Sequence, residues 1–166
     1  TAFLARVYLY KQEWSNAEAE ATAVINNTAK FTLLTDITKV FLKESKETLW
    51  HISPTVVGAA TVDGNVFVLT SAPNNAFPSS LRPEFMDNFE PGDKRRTSWV
   101  DSPMLAGRKY YCPGKYKLKT IPQTASSVTL SPEYQVIFRL AEQYLIRAEA
   151  RARQNKIADA QTDLNE

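Results

Sequence analysis

The sequence holds one cysteine, Cys112, and one histidine, His51, among 166 residues. A lone cysteine excludes an intrachain disulfide framework. One His with one Cys offers no ligand spacing for zinc. Nucleophilic catalysis would rest on His51 as the sole imidazole base, and no Gly-x-Ser-x-Gly elbow accompanies it. His51 sits in the apolar stretch Leu49–Ile52 and reads as a hydrogen-bonded structural histidine. Only five glycines occur, and none builds a phosphate-cradling loop. The net charge of +2 is too small to draw in nucleic acid by electrostatics. No apolar run approaches the roughly 20 residues of a membrane span. The opening Thr1-Ala2-Phe3-Leu4-Ala5-Arg6 lacks the basic and apolar regions of a signal peptide. The sequence enters a helical pattern at once and stops inside another at Asp163-Leu164-Asn165-Glu166, so it is expected to be part of a longer protein.

Helical signals dominate both ends. Phe3, Leu4, Val7, Tyr8 and Lys11 share one face at i, i+3, i+4 spacing, which predicts a helix over 2–12. Ser15 with Glu18 matches a capping box that would start a second helix, with Ala17, Ala21, Val24 and Ile25 as its buried stripe and Asn26-Asn27 as its end. A three-residue connection makes the two helices antiparallel. Near the C-terminus Leu140, Ala141, Tyr144, Leu145, Ala148 and Ala152 trace another face. Gln154-Asn155-Lys156 turns the chain, and Ile157, Ala160 and Leu164 begin a further stripe. Setting Ala17 over Ala160 also sets Ala5 over Ala148 and Trp14 over Ile157. Small residues at matching positions let helices approach closely, as in tetratricopeptide-like units.

The stretch 28–131 differs. It carries eight of the nine prolines and all five glycines. Turn signals recur at Asp63-Gly64, Pro73-Asn74-Asn75, Pro91-Gly92 and Pro113-Gly114. Thr48–Ile52 and Asn65–Thr70 read as short strands, Leu81–Phe89 as a short helix with Phe85 and Phe89 on one side, and Ala125-Ser126-Ser127 as a polar loop. Tyr134, Val136 and Phe138 alternate, which favours an extended entry to the last helix pair; Ser131-Pro132-Glu133 offers a helix start as the alternative. The fold class expected is mainly α: helix pairs at 1–27 and 132–166 around a loop-rich middle, 28–131, with a few short strands.

Candidate chemistry follows from these placements. Asp87, Glu90, Asp93 and Asp101 could supply a glycosidase pair only if two faced each other across a cleft; their turn-rich surroundings favour capping and solvated roles. Asp63-Gly64-Asn65 lacks the register and closing Glu of a calcium loop. Lys94-Arg95-Arg96 reads as a surface turn with local ion pairs. Aromatic residues are plentiful, with 3 Trp, 7 Tyr and 8 Phe. Phe77, Trp99, Tyr110 and Tyr111 fall in loops beside Asn74, Asn75 and Arg108. Rings packed on the apolar face of a pyranose, with polar neighbours reaching its hydroxyls, make these seven the candidate sugar-binding residues. The competing reading is that the rings pin loops to the helical body. No cofactor and no metal are expected.

Arg139-Leu140-Ala141-Glu142-Gln143-Tyr144-Leu145-Ile146-Arg147-Ala148-Glu149-Ala150 resembles the C-terminal signature of SusD/RagB-type proteins, R-x-A-E-x-Y-L-x-x-A-E-A. Phe89–Arg96 resembles the family's aromatic–acidic–D-x-R-R segment, Lys115-Tyr116 its K-[YFW] element, Glu47–Ile52 its strand after the middle helices, and Ala5–Tyr10 its A-R-x-Y-L helix. These segments follow family order. The resemblance implies a non-catalytic lipoprotein on the outer surface of Bacteroidetes-type bacteria. Such proteins cover a TonB-dependent, SusC-like transporter and capture oligosaccharides or other nutrients for import. It implies a membrane link only through a lipid anchor not present in this chain; Cys112 has no lipobox around it. The family has no fixed ligand motif, so no binding residue carries over by position. Two rival readings are a tetratricopeptide-like scaffold for protein partners and a helical glycosidase.

Overall fold

The computed structural model describes residues 1–55, 58–74, 79–121 and 131–166. In chain order its elements are α1 (Ala2–Tyr10), α2 (Trp14–Ile25), β1 (Thr48–Ile52), α3 (Val62–Phe67), α4 (Lys94–Ser98), β2 (Val100–Asp101), β3 (Met104–Leu105), β4 (Arg108–Lys109), β5 (Cys112–Pro113), β6 (Gln135–Arg139), α5 (Leu140–Arg153) and α6 (Ile157–Leu164). Two 3-10 turns lie at Ile37–Lys39 and Pro83–Asn88. The chain forms two compact units. One comprises Thr1–Leu34, Lys46–His51 and Val136–Glu166, the other Thr35–Ser45 and Ile52–Gln135. The described fold is mainly helical with a few short strands.

In the first unit, α2 packs on both α1 and α5, and α5 packs on α6. Ala5, Ala17, Ala21, Ile146 and Ala150 form a buried cluster, flanked by Tyr8, Leu9 and Trp14. Ala5, Ala17, Ala148 and Ala160 are all buried, as their shared register predicts. The two hairpins also turn alike. Gln12 and Asn155 both take left-handed backbone, with φ of 61° and 60°. Glu13 N–H donates to the Tyr8 carbonyl and Gln12 N–H to that of Leu9; Lys156 and Asn155 donate in the same pattern to Arg151 and Ala152. Each is a Schellman motif built without glycine.

The helical faces differ from the expected ones in detail. Phe3 is 63% and Leu145 58% exposed, while Gln143, Ile146 and Ala150 are buried. The inner face of α5 is therefore rotated about one residue from Leu145 toward Ile146. Leu164 and Ile157 are exposed on α6, where Ala160 and Asp163 turn inward. Ser15 and Glu18 form no capping box; α2 starts at Trp14 with no side-chain cap. The Glu18 carboxylate is taken instead by Arg151 at 3.0 Å, Gln154 at 2.9 Å and Lys156 at 2.6 Å. Arg147 and Arg151 both reach the buried Asp163, at 2.7 and 2.8 Å. Charge-assisted bonds of this kind outweigh a cap because several donors converge on one desolvated carboxylate.

β1 and β6 pair as a two-stranded sheet, so the extended reading of the approach to α5 holds. Leu140 N–H donates to the Glu47 carbonyl at 2.8 Å, and Arg139 Nη1 meets the nearly buried Glu47 carboxylate at 3.0 Å. Trp50 stacks on Phe138, ring centroids 5.7 Å apart and planes 18° off parallel.

In the second unit, the strand expected at Asn65–Thr70 is replaced by α3. The Thr61 side chain accepts the Gly64 N–H at 3.0 Å, and Asp63 lies in the first turn, where the helix dipole favours an anion. Asp63-Gly64 is thus a helix start rather than a free turn. The Leu118 carbonyl fills the place where a Cβ on Gly64 would stand, so only glycine fits. β2 pairs antiparallel with β5, and β3 with β4. The two residues between β3 and β4, Ala106 and Gly107, both have positive φ, the geometry of a tight hairpin turn. Gly92 has φ of 87° and turns the chain at Pro91-Gly92 as its sequence predicts. The buried Glu133 accepts the backbone N–H groups of Lys117 at 2.7 Å and Leu118 at 3.2 Å, fixing the Lys115–Leu118 segment.

Candidate functional site

Within the second unit, Leu81, Phe85, Phe89, Arg95, Trp99, Val100, Pro113 and Lys115 line an open cleft of about 290 Å³. Each wall has a local cause. The Pro83–Asn88 turn places Phe85 against Phe89, edge to face at 5.5 Å, with Phe85 43% exposed. Asp93 caps α4 by accepting the Arg95 N–H at 2.8 Å. α4 then delivers Trp99, whose N–H donates to the Arg95 carbonyl at 2.8 Å and whose carbonyl accepts from Gly114 at 2.8 Å.

The Trp99 ring is held on further sides. Its Nε1–H donates to the Ile37 carbonyl at 2.9 Å, and its ring meets that of Phe41 edge to face at 5.4 Å. Phe41 also packs on the buried Tyr116 at 5.3 Å. The indole is thus preorganised, and its donor is already used. What Trp99 offers a ligand is an apolar surface. The Lys115 ammonium stands 5.7 Å from the Trp99 ring centre and 5.6 Å from that of Phe41, within cation–π range.

Arg95 is clamped by Asp93, with Nε at 3.0 Å from both carboxylate oxygens and Nη2 at 2.6 Å from Oδ2. The Arg95 side chain, then its amide, holds the Asp93 carboxyl below its ordinary value. Reciprocally, the bond to Asp93 raises the Arg95 guanidinium. Both stay ionised across the physiological range.

The predicted ligand residues divide. Trp99 lines the cleft. Tyr111 joins its rim through the backbone, its carbonyl accepting the Leu81 N–H at 2.7 Å. Arg108 and Tyr110 belong to the β4 side, with the guanidinium 5.5 Å from the Tyr110 ring centre; Lys109 stands 5.1 Å from the Tyr111 ring centre. Asn74 is exposed. Phe77 and Asn75 lie outside the described residues, as does Ala125-Ser126-Ser127. Sequence reasoning did not assign Phe85, Phe89, Arg95 and Lys115 to a site. The one usable signal was the i, i+4 pair Phe85 and Phe89 on a short, otherwise polar helix.

Among the described residues, no carboxylate lines this cleft. Asp63 is bonded by Gln135 at 3.0 Å, Asp101 accepts the Ser102 N–H at 2.8 Å, and Asp87 and Glu90 are exposed. Also among the described residues, no three His, Cys, Asp or Glu side chains gather as a metal site, and no helix is long and apolar enough to cross a membrane.

The family model of the SusD family matches residues 84–166, half of the chain and the part that carries α4, Trp99 and α5. This chain belongs to the SusD family. Its fold is shared with solved SusD-like structures from Bacteroides. A SusD superfamily protein from Bacteroides thetaiotaomicron matches with TM-score 0.73 and 24% identity over 99% of this chain and 39% of that one. Surface glycan-binding protein A from the same organism, in complex with laminarihexaose, matches with TM-score 0.71 and 17% identity over 97% of this chain and 44% of that one. A SusD-like carbohydrate binding protein from Bacteroides vulgatus matches with TM-score 0.67 and 22% identity over 99% of this chain and 34% of that one. This SusD-family chain therefore spans less than half the length of these structures. No curated protein matches it.

Proposed function

We propose that the chain is the part of a SusD-type protein that captures an oligosaccharide without cleaving it, and that the Trp99 cleft belongs to the capture surface. The observation that carries this reading is the rigid, half-exposed aromatic wall of Phe85, Phe89 and Trp99, bordered by Arg95 and Lys115. Aromatic faces pack on the C–H face of a pyranose, and cationic N–H groups bond its hydroxyls. The laminarihexaose-bound structure that shares this fold supports a saccharide as the ligand class. Tyr110, Tyr111, Arg108, Asn74, Asn75 and Phe77 are proposed as further contacts along the same loops. Burying one sugar face on one or two rings supplies a few kcal/mol, so the affinity expected lies in the roughly millimolar to micromolar range.

The wider setting proposed is the outer membrane, at the cell surface. There the full-length protein would be lipid-anchored and would hand its ligand to a TonB-dependent, SusC-like transporter. Calorimetric titration with laminarihexaose and other oligosaccharides tests the capture reading. Phe85→Ala should weaken binding without unfolding the protein. Saccharide hydrolysis by the purified protein, lost on mutating Asp87 or Glu90, would overturn it in favour of a glycosidase. Co-purification of the full-length protein with an outer-membrane transporter tests the hand-over.

A further inference from the structure

The lining of the Trp99 cleft is charged in one sense only: Arg95 and Lys115 contribute to it, and no acid does among the described residues. The surrounding stretch leans the same way. Residues 79–121 hold nine Lys and Arg against five Asp and Glu, although the whole chain is only +2. Of those five acids, Asp93 is bound by Arg95, and Asp101 accepts a backbone amide at Ser102.

The two cations are placed differently. Asp93 grips the Nε and Nη2 edge of Arg95, which fixes the plane of the guanidinium. Among the described residues no acceptor meets its Nη1, so one N–H edge of an oriented fork remains for a ligand. The Lys115 ammonium stands over both the Trp99 and the Phe41 ring. A sugar resting on Trp99 would therefore carry a ring substituent toward an ammonium. Lys117 adds positive charge nearby, its Nζ bonded to the Ser98 carbonyl at 3.1 Å. A neutral hexose has only hydroxyls to offer these groups. A carboxylate or sulfate ester makes charge-assisted bonds about twice as strong, and bidentate pairing suits a guanidinium.

The geometry points to an anionic oligosaccharide, bearing uronate carboxylates or sulfate esters, as the preferred ligand of the Trp99 cleft, with Lys115 and Arg95 receiving the acid group. This rests on the capture reading above and narrows its ligand class.

The test is calorimetric titration of the unmodified protein with three probes of similar length: laminarihexaose, a hexagalacturonate and a sulfated hexasaccharide. An acid group bonded by Lys115 and Arg95 should tighten binding roughly tenfold over laminarihexaose at low salt. That advantage should shrink as salt rises toward 0.5 M, because exposed charge pairs are screened. Lys115→Gln should reduce the ratio of anionic to neutral affinity. Tighter binding by either anionic probe supports the inference and identifies the group as carboxylate or sulfate. Binding of laminarihexaose as tight as that of both anionic probes, with no salt dependence, overturns the inference and leaves saccharide capture standing. Binding of none of the three overturns both. The salt titration needs no variant, so the result does not hinge on the folding of Lys115→Gln.

Discussion

Glu18 of α2 and Arg151 of α5 meet at 3.0 Å, joining helices from opposite ends of the sequence. Burial works against the charged form of Glu18, but hydrogen bonds from Lys156, Arg151 and Gln154 together outweigh it and lower its pKa below the ordinary 4.5. A carboxyl lowered in the folded state stabilises the fold fully above its unfolded pKa. That contribution is lost as pH falls through the lowered value. Thermal stability should therefore drop below about pH 4.5. Glu18→Gln should cost about 1–2 kcal/mol at neutral pH and show a shallower acid limb; an acid limb equally steep in the variant would refute this.

Gln12 and Asn155 both hold left-handed backbone at the hairpin turns. Glutamine has a Cβ and no local compensation there, whereas asparagine tolerates the conformation. Gln12→Gly should stabilise by roughly 0.5–1 kcal/mol and Asn155→Gly by less. Chemical denaturation gives both values, and a loss at Gln12 would contradict the turn geometry.

Gln143 is fully buried in α5, and neither polar atom of its amide has a hydrogen-bond partner among the described residues. A buried amide left unpaired costs about 1–3 kcal/mol. Gln143→Met keeps the shape and removes that cost, so the melting temperature should rise. A fall would mean the amide has a partner such as a bound water.

Ala148 is 3% exposed, one of the small residues that let the helices close. Ala148→Leu should destabilise by roughly 1–3 kcal/mol through overpacking, measurable by denaturant midpoint. An unchanged midpoint would show room at that contact.

Trp99 and Phe85 share a cleft but differ in their other ties. Trp99 packs on Phe41 and spends its indole N–H on Ile37, so Trp99→Ala should cost roughly 2–4 kcal/mol of stability as well as binding. Phe85 is exposed, and Phe85→Ala should cost about 1 kcal/mol or less while still weakening saccharide binding. Parallel melting curves and titrations separate the two.

What could be read from the sequence follows the range of each interaction. The small-residue register of Ala5, Ala17, Ala148 and Ala160 was legible because it needs only helical periodicity. β1 was legible from its β-branched and aromatic content. α3 was not: Val66-Phe67-Val68-Leu69 looks like a strand until Thr61 caps the turn before it and the Leu118 carbonyl closes over Gly64. The Ser15/Glu18 box failed for the same reason, since the partners that claim Glu18 lie more than a hundred residues away. The cleft was legible at Trp99 and, on its rim, at Tyr111, while the Phe85 and Phe89 pair was visible but tied to no site. Arg95 reaches it through the Asp93 cap, which the turn-rich sequence suggested without pointing to a site, and Lys115 through a buried staple at Glu133, which leaves no local pattern.

The first compact unit is assembled from three separated stretches, with the whole second unit threaded between its parts. During synthesis α1 and α2 emerge before the second unit, yet α5, whose Ile146 and Ala150 pack with Ala17 and Ala21, emerges only after it. The Glu18 carboxylate likewise waits for Arg151 and Lys156. Contacts across such a sequence separation carry a loop-closure cost and slow the search for them. The second unit, built almost entirely from one continuous stretch, can consolidate first and shorten the effective loop. Folding of the helical unit is thus coupled in time to folding of the second unit. A lesion that only loosens the second unit would leave the α1–α2 hairpin exposed for longer, and would be felt as poor yield before any loss of binding.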